Sequence, residues 1–363
     1  MLKKLSAVVG MILLLVSIFV VDTIVDAGAL KNIKPHFAGT CTMVEGMVGA
    51  EDITVDQETG FAYISAHDRR SWGADQNHGG AIYIYRPGSL SAPLAMPHNM
   101  DSVLFPHGIS LWKNPDGPDR LFVVSHPQVI VEGRKETTSQ VVIFDIVDGA
   151  LEYVRAVKTD LPYSLNDVAA IDADHFYASI DRGSLTPFGR RLEAYGRLKR
   201  GGIAYGDTFG IKKVEGGLIF PNGIQLSPDG RNLFVAETTG ERLLTYARNP
   251  ETNALILVSE TEIDSGLDNL EWDEDGNLWI GAHPRAIDFP AHGADANARS
   301  PSQILKVSFE GEDIIVDEVY LNDGDPLSGS SVAAPHGDRF LIGAVYEPFI
   351  MDCKMTHSMT SGR

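Results

Sequence analysis

Six polar side chains recur at one phase of a long repeat: Glu51, His107, Asn166, Asn222, Asp268 and Ser330, with Asn269 next to Asp268. Each opens the same short pattern. A small, acidic or amide residue follows, then a branched aliphatic residue or leucine, then a turn and a short apolar strand. If the six positions face one axis, carboxylate and amide oxygens converge there. That suits Ca²⁺, a hard ion that takes about 6–8 oxygens. Zinc fits less well, because there is no His-Glu-x-x-His helix and no cysteine-rich cluster. Singly, these residues are ordinary: Asn-Gly and Asn-Asp are turn formers, and a lone histidine is more often a satisfied histidine than a catalyst. Their common phase is what marks a site.

The elements that position them can be read from the same repeat. Its first halves are Glu51-Asp52-Ile53, His107-Gly108-Ile109, Asn166-Asp167-Val168, Asn222-Gly223-Ile224, Asp268-Asn269-Leu270 and Ser330-Ser331-Val332. The matching apolar strands begin at Phe61, Leu121, Phe176, Leu233, Leu278 and Phe340. The copies are spaced by 56, 59, 56, 46 and 62 residues. Turns such as Pro228-Asp229-Gly230 and Asp275-Gly276-Asn277 separate the paired strands. Helical periodicity is almost absent, the best stretch being Arg190–Lys199. Units of this length, built from short paired strands, predict a six-bladed β-propeller. A two-sheet sandwich is the alternative, but the period is too long and too regular for it. A ring must close or leave open sheet edges, and residues 36–48 are the candidate strand beside the last blade.

Composition sets the outer limits. The chain has 363 residues, 44% of them hydrophobic, and 30 Lys+Arg against 49 Asp+Glu give a formal charge of −19. A whole-chain nucleic-acid binder is excluded for want of a basic footprint. Lys3 and Lys4 precede an apolar run from Leu5 to Val21, and Ala27-Gly28-Ala29 follows. Residues 1–29 read as a secretory signal cleaved after Ala29, or as an uncleaved membrane anchor. Both readings place residues 30–363, the propeller domain, outside the cytoplasm: secreted, periplasmic or held at a membrane surface. An oxidising destination makes a disulfide between the two cysteines, Cys41 and Cys353, the expectation over two buried thiols.

The chain resembles the paraoxonase/arylesterase family of calcium-dependent lactonases over roughly residues 36–353. The resemblance rests on Gly49-Ala50-Glu51-Asp52-Ile53, Pro106-His107-Gly108-Ile109-Ser110, Ser125-His126-Pro127 and Leu165-Asn166-Asp167-Val168. It continues through Asn222-Gly223-Ile224 with Ser227-Pro228-Asp229-Gly230, Asp268-Asn269, Gly281-Ala282-His283-Pro284 and the two terminal cysteines. It implies a six-bladed propeller with two calcium ions in its tunnel. The catalytic ion would be held by Glu51, Asn166, Asn222, Asp268 and Asn269. The structural ion would be held by the side chains of Asp52 and Asp167 and the backbone carbonyl of Ile109. His107 and His126 match a histidine dyad, Asp181 the carboxylate that orients His126, and His283 a pocket histidine. The implied chemistry is hydrolysis of lactones, with arylesterase and organophosphatase side activities. The base is either His107 or a carboxylate on the metal, Glu51 or Asp268. The expected substrates are small lipophilic lactones or esters.

Two segments depart from the family pattern. Asp68–Gly80 reads as a loop over the site, with Trp72 a candidate pocket residue. Thr186–Tyr205 carries Arg190, Arg191, Arg197, Lys199 and Arg200 and is more basic and less apolar than in vertebrate relatives, so lipoprotein binding is not transferred. The family's additional free cysteine is absent, with Ala282 near its place. Two other functions stay open at this level: a sugar lactonase of similar architecture, and a non-catalytic propeller with purely structural calcium. Nothing in the sequence fixes the oligomeric state.

Overall fold

The computed structural model describes residues 2–71, 79–131, 134–159, 164–184, 186–311 and 313–356. Six antiparallel sheets follow one another along the chain, each running from an inner to an outer strand; five have four strands, and the fifth blade gains a fifth strand, His36–Phe37, beside its outer strand Asp313–Leu321. The inner strands are Ala50–Val55 (blade I), Pro106–Trp112 (II), Ser164–Ala170 (III), Pro221–Leu226 (IV), Gly266–Trp272 (V) and Ser330–His336 (VI). Every one contains the polar residue that opens its repeat, and the predicted apolar strands lie second in each blade. The propeller is six-bladed, as the spacing predicts. Turn glycines fall where the pattern put them: Gly230 and Gly276 have φ of +67° and +80°, a region that favours glycine.

Alternation within the second strands builds the core. Leu121 and Val123 pack toward blade I, while Phe122 and Val124 pack toward blade III. The same division holds around the ring, giving six buried apolar clusters, one at each interface between neighbouring blades. Each blade therefore depends on both neighbours, and the ring must close. Closure uses Gly39–Glu45, which pairs antiparallel with Phe349–Met355 as the outer strand of blade VI. Cys41 lies directly opposite Cys353 in that ladder and is joined to it by a disulfide.

Three helices bear on the site, the shortest being Phe289–Ala294, whose first residues line the cavity. Pro187–Tyr195 is capped by Thr186, whose hydroxyl accepts from the Gly189 amide, and has proline at its start. It lies slightly before the predicted stretch. The longest, Leu2–Asp26, precedes the propeller. Its segment Val9–Asp26 has a mean hydropathy of 2.3, is exposed, and is long and apolar enough to cross a membrane. Its end is seated on the propeller: the Ala27 carbonyl accepts from the Ile287 amide at 3.1 Å, and Asp26 pairs with Arg197.

Candidate active site

In every blade the inner-strand register slips at the polar segment, between Ala50 and Asp52, Pro106 and Ile109, Leu165 and Val168, Pro221 and Ile224, Leu267 and Leu270, and Ser330 and Val332. A bulge lifts a residue or two out of the ladder and releases them from strict side-to-side alternation. That is how consecutive side chains such as Asp268 and Asn269 can serve one site. Two glycines let the blades approach: a Cβ on Gly108 would strike Asp167, and one on Gly223 would strike the Asp268 and Asn269 backbone.

Five oxygens at this level are buried and lack a hydrogen-bond donor: Glu51 Oε2, Asn166 Oδ1, Asn222 Oδ1, Asp268 Oδ1 and Asn269 Oδ1. The companion atoms of Glu51, Asn222, Asp268 and Asn269 are engaged. Asn269 donates to Glu51 Oε1 at 3.1 Å and to the Glu51 carbonyl at 3.0 Å. Asn222 donates to Thr238 Oγ1 at 3.2 Å, and Asp268 Oδ2 accepts from His283 Nε2 at 2.9 Å. These bonds orient the Asn222 and Asn269 amides and the Glu51 and Asp268 carboxylates, leaving their other oxygens without a donor. Burying such atoms unsatisfied costs about 1–3 kcal/mol each, and five together is a strong departure from normal practice. An oxygen-seeking cation removes the cost, so the residues present fit one. Among the described residues no group of three or more His, Cys, Asp or Glu has metal-ligating geometry; the donor set is carboxylate and amide oxygen.

Deeper in the tunnel, Asp52 and Asp167 are buried and tie blades together. Asp52 accepts from the amides of Ile53 at 2.9 Å and Ile109 at 2.7 Å. Asp167 accepts from Val168 at 2.7 Å and Ile224 at 2.9 Å. Burial and neighbouring carboxylates, Glu51 and Asp52 respectively, push both carboxyls well above the usual range. Burial also raises Asp268, against the opposing pull of His283. Glu51 is the exception. Burial works to raise it, but His107, Arg69 and Asn269 outweigh that and hold it at about 2.

The two histidines meet. His107 Nδ1 lies 2.9 Å from His126 Nε2, and His107 Nε2 lies 3.5 Å from Glu51 Oε1. His126 Nδ1 is 3.1 Å from Ser139 Oγ. Burial, with His107 and Arg69 adding to it, pushes His126 well below the usual imidazole range, so it is neutral. Asp181, expected to orient His126, lines the same cavity but pairs with Arg182 at 3.1 Å; its other oxygen has no donor. The hydroxyl of Ser139 holds the place assigned to it. His283 is buried, packed on Phe289 with ring centroids 4.4 Å apart, and its contact is to the Asp268 carboxylate.

Ser330 is a second correction. Its hydroxyl sits within blades V and VI, accepting from the Gln303 amide and donating to the Ala282 carbonyl at 3.1 Å. Ser331 is the sixth-copy residue that contacts a site residue, donating to the Glu51 carbonyl at 2.5 Å. Trp72 lies outside the described residues. Arg69 was not anticipated. Its guanidinium donates to the Gly49 carbonyl at 3.1 Å and the Pro106 carbonyl at 3.3 Å, and sits 3.7 Å from Glu51 Oε2. Only its place in the 68–80 loop pointed toward it.

Glu51, Asn166, Asn222, Asp268, the His107–His126 pair, Arg69 and His283 line one cavity of about 1260 Å³. Its walls are Phe220, Phe289 and Tyr346 from the propeller, Tyr195 from the 187–195 helix, and Thr23, Ile24, Asp26 and Ala27 from the end of the first helix.

The sequence model of the arylesterase family matches residues 94–354. The chain belongs to the arylesterase family. It is similar to serum paraoxonase/arylesterase 2 of Homo sapiens, 30% identical over 86% of this chain and 87% of that protein. Serum paraoxonase/arylesterase 1 of Homo sapiens is 27% identical over 88% and 90%. Among solved structures, a luciferin-regenerating enzyme superposes with a TM-score of 0.54 at 15% identity, over 87% of this arylesterase-family chain and 95% of that one. Regucalcin from Agrobacterium tumefaciens gives 0.52 at 17%, over 87% and 93%. At those identities the structural likeness concerns the propeller fold.

Proposed function

We propose that this arylesterase-family chain is a calcium-dependent hydrolase of lactones and aryl esters acting in the axial cavity. The observation that carries the reading is the set of five donorless oxygens beside the His107–His126 pair. Glu51, Asn166, Asn222, Asp268 and Asn269 would hold the outer ion, and Asp52, Asp167 and the Ile109 carbonyl the inner one. When bound, the outer ion supplies Lewis-acid polarisation of the ester carbonyl and stabilises the oxyanion formed on attack.

The chain's own groups then divide the remaining work. His126 is neutral; with its Nδ1–H turned to Ser139, its Nε2 accepts from His107 Nδ1–H. That leaves the His107 Nε2 lone pair free to take a proton from water. The imidazolium so formed has Glu51 Oε1 at 3.5 Å to stabilise it. His107 returns the proton to the departing alkoxide as the acyl C–O bond breaks. Asp268, held by His283, is the competing base. The cavity walls accept the apolar part of the substrate and exclude water.

The test is hydrolysis of γ- and δ-lactones, phenyl acetate and gluconolactone with and without EDTA, paired with calcium titration of Asn166→Ala and Glu51→Gln. Chelator-sensitive turnover of lactones and phenyl acetate, with weakened calcium binding in both variants, is expected. Turnover that EDTA leaves unchanged, or activity confined to gluconolactone, refutes the reading.

A further inference from the structure

The cavity wall above the tunnel is unusually rich in arginine for a chain of formal charge −19. Arg182, Arg190, Arg191 and Arg197 all line it, and Arg69 lines its floor. Three carboxylates share the outer wall: Asp26, Asp181 and Glu241. Two are already engaged, Asp26 with Arg197 and Asp181 with Arg182. Burial pushes Glu241 up to about 7, so it carries only part of a charge near neutrality.

Arg190 and Arg191 are left over. Arg190 uses Nε on the Ser184 carbonyl at 3.2 Å, and neither guanidinium has a carboxylate partner among the described residues. The one acid on their helix, Glu193, is buried and turned inward, accepting from the Gly183 amide at 2.7 Å and the Ser184 amide at 2.9 Å. Those bonds and the Thr186 cap fix the helix on its loop, so the two arginines are held at the rim. Arg182 is held as well, stacked over Phe220 at 5.0 Å. A concave wall whose unpaired side chains, Arg190 and Arg191, are cationic focuses potential between low-dielectric surfaces and raises the local concentration of the opposite charge.

We propose that this arginine wall selects esters and lactones that carry a second, anionic group remote from the reacting carbonyl, a carboxylate being the type case. The inference rests on the hydrolase reading above and specifies its substrate class. The anionic group meets Arg190 and Arg191 at the rim while the acyl end enters between Phe220, Phe289 and Tyr346. Guanidinium forks match a carboxylate with two parallel hydrogen bonds.

The experiment compares phenyl acetates bearing a 4-carboxylate or a 4-carboxamide, using the full-length protein and the Arg190→Gln/Arg191→Gln double variant. Both sites are exposed, so folding is checked simply by circular dichroism. The readout is the ratio of kcat/KM for the charged substrate to that for the neutral one. In the variant this ratio should fall about tenfold, and in the wild type it should fall as NaCl rises to roughly 0.5 M. An unchanged ratio in the variant overturns the inference. So does an unchanged ratio accompanied by lost binding to phosphatidylglycerol vesicles, which would assign the arginines to lipid headgroups. Absence of EDTA-sensitive hydrolysis of either substrate refutes the hydrolase reading itself, and the inference with it.

Discussion

Replacing both Cys41 and Cys353 by alanine opens the only covalent link in the ring while leaving every blade intact. The bond closes a loop of 312 residues. Loop-closure entropy for that length gives about 5.7 kcal/mol at 25 °C as an upper value. For a propeller of this size, unfolding entropy converts that to a fall in Tm of about 8 °C. The effect should reach the site. Strand Gly39–Glu45 holds blade VI through Phe349–Met355, and blade VI supplies Ser331 to the Glu51 carbonyl. Loosening the closure therefore loosens a proposed calcium ligand. The assay is differential scanning calorimetry of the double variant with and without calcium, alongside calcium affinity by titration. The expected result is a lower Tm and weaker calcium binding together. A fall in Tm below about 2 °C would show that strand pairing alone closes the ring. A full fall in Tm with unchanged calcium affinity would break the proposed link between closure and site.

His107→Gln should lower kcat/KM for lactones by about 10²–10⁴, as expected for loss of a general base; activity within tenfold of wild type would move the role to Asp268. Ser139→Ala should alter the pH–rate profile more than Asp181→Asn, because Ser139 contacts His126; the reverse order would restore Asp181 as its partner. Saturating calcium, at about 1,000 times its dissociation constant, should stabilise the fold by about 4 kcal/mol, read as a rise in the denaturant midpoint. Burial, helped by Arg69, holds His67 at about 4 when folded, against about 6.5 when unfolded. Between those pH values the unfolded chain binds the extra proton, so stability should fall on acidification from about pH 6.5 to 4; a flat Tm across that window contradicts the assignment. Finally, mass spectrometry of the mature protein separates the two readings of residues 1–29: a chain that starts at Leu30 is the cleaved signal, and a chain that retains them, keeping Asp26 on Arg197 and Ala27 on Ile287, is the anchor.

The fold was legible because its period is written in residues with strong local preferences: turn glycines, β-branched strands and a polar residue at constant phase. The donor set was legible for the same reason, since Asn166, Asn222 and Asp268 occupy the same bulge in successive blades. The supporting contacts were not. Ser139 reaches His126 from just before the third strand of its blade, Gln140–Val147, and Thr238 reaches Asn222 from beyond the second strand. Neither has a motif, because only blade packing brings them close. Ser330 misled for a related reason: the bulge in blade VI presents the next residue instead. Arg69 is held by backbone carbonyls from Gly49 and Pro106, partners that leave no trace in side-chain pattern.

The five tunnel oxygens come from blades I, III, IV and V, and none of their blades can shift without the others registering it. The proposed ion thus works as a hub shared among spokes. Changes at the hub are penalised in several blades at once, whereas the rim, carried on the 187–195 helix and the loops, touches only one or two. Variation in what the protein accepts can accumulate at the rim while the hub and the bond-breaking chemistry stay fixed. A laboratory search for new substrates would therefore do best to leave the inner strands alone and diversify the wall above them.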